Sequence, residues 1–248
     1  MSTDICRFGL IVTGRGEAKF LHLLFRAIMG RAHCTFCVIR RIGQRNPITA
    51  PHRLLRMAGT AKRLPTKDEE EIGLPALAYL RQYSRSAVLL IDDLEADRRT
   101  HAADVFRRYR NALDAVLATT EVRQRASVHF LVNMIEAYYF AHSAAVNRVA
   151  GMTVLLDDHT ADVEDIPHPK RQLRAVWPSF DEVEHGERIV RQLDLDHILS
   201  RPAECRWLRA LFAWCIDKVV EWDAVHDSGL RNAFCVDHGE KAALTYPQ

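Results

Sequence analysis

The chain is expected to be an α/β protein: a Rossmann-like parallel sheet wrapped by helices, with a C-terminal helical subdomain. Three observations predict this. Short, almost uninterrupted apolar runs recur along the first 132 residues, as in strands buried on both faces. Helical periodicity follows most of them, which is the βα order of a parallel sheet. Acidic residues collect where the runs end.

Arg7 to Gly14 (RFGLIVTG) reads as the first strand, closed by glycine. Glu17 to Arg31 follows with Phe20, Leu21, Leu24, Ala27 and Ile28 on one helical face, and Gly30 at its end. Thr35 to Ile42 is a second strand. Gln44 to Thr66 contains Pro47, Pro51, Gly59 and Pro65 and reads as a loop region, with one helical turn around His52 to Ala58. Lys67 to Tyr83 is expected to be helical despite Gly73 and Pro75, because its first turn is acidic. Ser86 to Ile91 is the strongest strand, ended by Asp92, Asp93, Glu95 and Asp97. Thr100 to Ala118 is an amphipathic helix, Ser127 to Val132 a fourth strand, and Asn133 to Ala150 a helix. Beyond Gly151 an acidic loop leads to helices at Lys170 to Arg174, Asp181 to Leu193 and Glu204 to Val220. The organisation expected is therefore an α/β domain over 1–150, a helical subdomain completing it over 151–222, and a tail over 223–248.

Of the 248 residues, 48% are hydrophobic and 27% charged, enough to bury a core, so disorder over most of the chain is excluded. No apolar run approaches the ~20 residues of a membrane span. Asp4 and Arg7 flank a short apolar stretch unlike a signal peptide, and six widely spaced cysteines do not suggest a disulfide framework. A reducing cytoplasm is expected, with no membrane partner.

The formal net charge of +2 conceals a polarised chain. From Ala18 to Lys67 there is no Asp or Glu, while Lys19, Arg26, Arg31, Arg40, Arg41, Arg45, Arg53, Arg56, Lys62, Arg63 and Lys67 contribute eleven positive charges; the remainder carries −9. Arginine provides 28 of the 34 basic residues, a choice suited to bidentate phosphate contacts. Such a block fits nucleic acid, DNA or RNA, although a solvated arginine-rich face would look the same.

Glu17 after the first strand, Asp92 and Asp93 after the third, and Glu136 after the fourth would meet at the carboxyl edge of a parallel sheet, where ligands bind. Carboxylates gathered there repel unless a cation joins them, and Mg²⁺ or Mn²⁺ with hard oxygen ligands would do so. These four are the candidate catalytic and metal-ligating residues. The Gly14-Arg15-Gly16 turn adds backbone N–H groups at a helix start, which favours anions. Taken singly, each acid could equally be a helix cap.

The segments VTGRGEAKFL (Val12 to Leu21), LLIDDLEADR (Leu89 to Arg98), NMIEAYYFAH (Asn133 to His142), and HPKRQLRAVWP followed by EHGERIV (His168 to Val190) resemble a TOPRIM-like family of prokaryotic proteins. That family is known mainly as a domain of unknown function and is often encoded beside an ATPase. The resemblance runs from about Arg7 to about Asp217. It implies a TOPRIM-like fold with Mg²⁺ held by a Glu after the first strand and acids after the third. It also implies phosphoryl-transfer chemistry like that of the overcoming-lysogenization-defect nucleases, an ATPase partner, and a setting in phage defence or mobile-element biology. Thr13 stands where the family pattern has a first Glu, and Asp92-Asp93 are adjacent where it spaces its acids as Asp-x-Asp. Either Glu95 or Asp97 compensates, or the chain is a non-catalytic binding subunit. Arg15, Arg40, Arg41, Lys170 and Arg171 are the candidate phosphate contacts, and a homo-oligomer remains open.

Cys34 and Cys37 with Cys235 and His238 could form a zinc site, but i and i+3 on a strand face opposite ways. Buried thiols are the simpler reading, as they are for Cys6, Cys205 and Cys215. His185 and His168 could serve as acids near the metal, or as caps and packing groups. Tyr138, Tyr139, Trp177 and Trp207 could stack on bases, yet their helical spacing suits a core.

Overall fold

A computed structural model describes residues 5–45, 63–152, 156–201 and 204–234. Four parallel strands form one sheet in the order β2-β1-β3-β4, with β1 Cys6–Val12, β2 Cys34–Arg41, β3 Ser86–Leu94 and β4 Ala126–Val132. The chain moves from β1 outward to β2, then crosses back to the other side of β1 for β3. The order therefore reverses between β1 and β3, and a crevice opens there at the carboxyl ends.

All nine residues of β3 and all seven of β4 are buried, including the polar Ser86, Asp92, Asp93, Ser127 and His129, as for strands covered on both faces. Alternation assigns the two faces. Phe8, Leu10 and Val12 of β1 with Ala87, Leu89 and Ile91 of β3 share one core, and Val88, Leu90 and Leu94 with Val128, Phe130 and Val132 share the other.

Several expected helices are broken. The Glu17–Arg31 helix is α1 (Arg15–Phe20), a 3₁₀ turn (Leu21–Phe25) and α2 (Arg26–Met29). The expected Lys67–Tyr83 helix does form, running unbroken from Lys67 through a wide π turn (Glu69–Gly73) into α3 (Leu74–Gln82), with Pro75 just beyond the π turn. Gly73 is explained by close approach: a Cβ there would lie 2.6 Å from the Ala112 carbonyl oxygen. After β3 come α4 (Ala102–Asp114) and a short α5 (Thr120–Arg123), and these with α3 cover the second face. The expected Asn133–Ala150 helix is a 3₁₀ turn (Ile135–Tyr139) and α6 (Ser143–Ala150). The rest is α7 (Pro169–Val176), α8 (Glu184–Val190), α9 (Leu195–Leu199), α10 (Arg206–Glu221) and α11 (Leu230–Ala233).

The C-terminal helices share the first core with the sheet: Leu173, Ile189, Leu208 and Phe212 belong to it, and Trp214 of α10 packs edge-on against His129 of β4. Residues 223–234, expected as a tail, also dock. The N–H of His33 donates to Ala224, Phe234 is fully buried, and its ring packs on Phe212. The helical turn expected around His52 to Ala58, and Cys235 and His238, lie outside the described residues. Among the described residues no helix is long and apolar enough to cross a membrane.

Candidate functional site

At the crevice between β1 and β3, a pocket of about 110 Å³ is lined by Gly14, Arg15, Gly16, Glu17, Phe20, Asp93, Glu95, Met134, Ile135, Glu136, Lys170 and Glu182. Three of the four acids singled out in the sequence meet here. Glu17 comes from α1; Gly14 makes room for it, since a Cβ on Gly14 would fall 1.6 Å from the Glu17 Oε2. Asp93 comes from β3, on the face of Ala87, Leu89 and Ile91.

Glu136 follows β4 through a strained turn. Asn133 and Met134 both have positive φ, at 56° and 70°, and with ψ at 171° Met134 adopts a conformation almost confined to glycine. Lys170 is reached through another positive-φ residue, His168, in the left-handed region at φ 51° and ψ 54°, immediately before Pro169 opens α7. Two positive-φ turns thus lead Glu136 and Lys170 into the same pocket.

Asp92 does not join them. The sequence suggested a strand ending at Ile91, but β3 continues to Leu94 because β4 pairs with it there, Asp92 opposite Phe130 and Asp93 opposite Leu131. Adjacent residues in a strand face opposite ways, so only Asp93 reaches the pocket. Asp92 turns toward α4, where it accepts hydrogen bonds from the Thr13 hydroxyl at 2.7 Å, Arg98 at 2.8 Å and the Tyr109 hydroxyl at 2.9 Å. Tyr109 in turn accepts from the Arg45 N–H at 3.2 Å, and Arg98 also reaches the Arg45 carbonyl at 3.1 Å. Asp92 and Thr13 therefore tie the ends of β1 and β3 to Arg45, midway along the basic stretch. Of the two acids offered as compensation, Glu95 lines the pocket and Asp97 does not.

The pocket is electrostatically loaded. Asp93 is held well above the carboxylate range by burial and then by the charges of Glu17, Glu136 and Asp92. Burial raises Glu17 too, offset in part by its own N–H and by a hydrogen bond shared with Asp93. Glu136 is pushed up to about 7, mainly by burial, with Lys170 pulling the other way. The Lys170 ammonium lies 2.6 Å from Glu182 and 3.9 Å from Glu136. Burial opposes its charge, but Glu136 and Glu182 outweigh that and hold it above its ordinary range.

The donor set is hard oxygen, and Asp93 Oδ1 is buried without a hydrogen-bond partner among the described residues, so these carboxylates suit a small divalent cation in kind. As they stand, no three Asp, Glu, His or Cys side chains among the described residues are drawn close enough to hold one. Closure around an ion would require side-chain movement.

The expected phosphate contacts divide. Arg15 is exposed at the pocket and Lys170 lies inside it. Arg171 is exposed on α7, and Arg40 and Arg41 are exposed at the end of β2; none of the three lines the pocket. Much of the described basic stretch is paired. Arg31 binds Asp196 and Asp227, Arg45 binds Asp68 and Glu71, Arg63 binds Glu69, and Lys19 binds Glu187. α1 is also too short to carry the anion-attracting field expected of a long helix.

Tyr138 and Tyr139 are fully buried, so neither is placed to stack on a base. The His185 ring stacks on Trp177 at 4.5 Å, and its Nδ1 accepts from the Asp181 N–H at 2.9 Å. Cys34 and Cys37 lie on β2, with the Cys37 sulfur 3.6 Å from the Tyr79 hydroxyl. Sequence reasoning missed Glu182, which lies in no motif, and the place of Tyr139 behind the acids.

The model of the family described as domain of unknown function (DUF4276) matches residues 12–214, and the chain belongs to that family. No curated protein and no solved structure matches it.

Proposed function

We propose that the chain is a Mg²⁺-dependent nuclease of TOPRIM type, able to use Mn²⁺, that hydrolyses phosphodiesters of DNA or RNA beside an ATPase partner in phage defence or mobile-element biology. The observation that carries the reading is the meeting of Glu17, Asp93 and Glu136, from three separate chain segments, at the topological switch point. Glu17, Asp93 and Glu136 would hold the cation, with Glu95 at the rim. Bound there, Mg²⁺ would activate water and offset charge building on the phosphoryl oxygens. Arg15 and Lys170 would orient the phosphate, and Arg40, Arg41 and Arg171 would meet the nucleic-acid backbone farther out.

The test is cleavage of plasmid DNA and of RNA with Mg²⁺ or Mn²⁺, wild type against Asp93→Asn. Cleavage by the wild type alone is expected; equal cleavage by both, or none with the ATPase partner present, would overturn the reading.

A second reading is a non-catalytic TOPRIM-like subunit that binds the ATPase or nucleic acid. It is favoured by Thr13, whose hydroxyl is engaged by Asp92, and by carboxylates not yet gathered into a ligand set. Calorimetric titration discriminates, because a protein that takes up neither Mg²⁺ nor Mn²⁺ at millimolar concentration is left with this role only.

A further inference from the structure

Tyr139 is fully buried on the Ile135–Tyr139 turn, three residues beyond Glu136. The neighbouring Tyr138 hydroxyl donates to Glu164 at 2.9 Å, whereas the Tyr139 hydroxyl has no hydrogen-bond partner among the described residues. Such an unpaired buried group costs on the order of 1–3 kcal/mol, and phenylalanine would fill the same space without that cost.

The position of the hydroxyl suggests a use. A Cβ built on Gly186 would lie 3.3 Å from it, and 3.0 Å from the ring of Phe20, which lines the pocket. After burial, the groups that push the Tyr139 phenol well above its ordinary range are Glu136, Glu17 and Asp93. The donor therefore lies within electrostatic reach of the three carboxylates, next to Gly186 and Phe20 at the pocket wall, and one of their oxygens, Asp93 Oδ1, is also buried and unpartnered among the described residues. An orphaned donor and an orphaned acceptor share one buried neighbourhood in which the acids are not yet assembled. Carboxylates that ligate metals are generally oriented by a hydrogen bond from behind.

We propose that Tyr139 is a positioning residue of the cation site: when Glu17, Asp93 and Glu136 close on a divalent cation, its hydroxyl donates to a carboxylate oxygen of that set and fixes its orientation. The inference rests on the metal-binding reading and adds to it a residue and a rearrangement.

The test is Tyr139→Phe in the full chain, with the Mn²⁺ dissociation constant read from the electron paramagnetic resonance signal of free Mn²⁺ and thermal unfolding followed with and without Mn²⁺. Metal-free stability is expected to be unchanged or higher, since an unpaired hydroxyl is removed. The Mn²⁺ dissociation constant is expected to rise about tenfold or more, as for loss of other outer partners, and the Mn²⁺-induced gain in Tm to shrink. A variant that binds Mn²⁺ within about twofold of wild type would overturn the inference and leave the metal site standing. A variant clearly less stable without metal would also overturn it, because the hydroxyl would then have a partner in the cation-free protein. If the wild type binds no Mn²⁺, the parent reading falls and takes this one with it.

Discussion

Asp92 and Asp93 are neighbours of identical chemistry, and exchanging each for asparagine should move stability in different directions. The Asp92 side chain is 0% exposed and faces Arg98, itself 14% exposed, with Thr13 and Tyr109 completing its shell. Asp92→Asn keeps the volume and one oxygen but leaves Arg98 without its counter-charge. Breaking a buried ion pair costs about 3–5 kcal/mol; the lower end applies because Arg98 retains bonds to the carbonyls of Asp93 and Arg45. For a chain of 248 residues, about 3 kcal/mol corresponds to a Tm lower by about 6–12 °C. Asp93→Asn puts a neutral amide where burial and the charges of Glu17 and Glu136 already disfavour a carboxylate, and Asp93 Oδ1 has no partner among the described residues to lose. Its stability without metal should equal or exceed that of wild type. Urea unfolding of the three proteins in a chelating buffer, with m-values compared, measures both effects. If Asp93→Asn is as damaging as Asp92→Asn, the division of labour drawn from strand alternation is wrong.

Two further substitutions probe the fold and the site. Glu164 is buried and pushed up to about 7 by desolvation, although it accepts from the Trp207 and Leu208 N–H groups and the Tyr138 hydroxyl. An acid whose folded pKa is raised favours the folded state at low pH and loses that advantage as pH climbs from about 4.5 to about 7. Between pH 5 and pH 8, wild type should therefore lose about 2–3 kcal/mol more stability than Glu164→Gln; parallel pH profiles in urea titrations would contradict this. Gly14→Ala should displace the Glu17 carboxylate, a flexible chain end, so the stability change should stay within about 1 kcal/mol while metal-dependent cleavage falls at least about tenfold. Unchanged cleavage would show that Glu17 acts from elsewhere.

The apolar runs at β1, β3 and β4 announced buried strands, and the acids beside them pointed to the carboxyl edge where Glu17, Asp93 and Glu136 do meet. Helix continuity was less legible. Periodicity marks which residues face a core, and Phe20, Leu21, Leu24 and Ile28 do, but the same spacing survives a break into 3₁₀ and α segments. The basic stretch was legible as composition and misleading as surface: Arg31 and Arg45 meet acids 165 and 23 positions away, and no local pattern announces those pairs.

The sequence by itself determined the fold class, the order of strands along the chain, and the acids available to a site, because burial, alternation and glycine turns are local properties. Which acid does what was decided by tertiary structure. β3 runs past Ile91 because β4 supplies hydrogen-bonding partners as far as Leu94, and that added length sends Asp92 to Arg98 and Asp93 to Glu17 and Glu136. Lys170, Glu182 and Tyr139 reached the site in the same way, through the packing of α8 against α1, of α7 against the Ile135–Tyr139 turn, and of that turn against β4. Contacts between residues so distant in the chain are set by the packed whole.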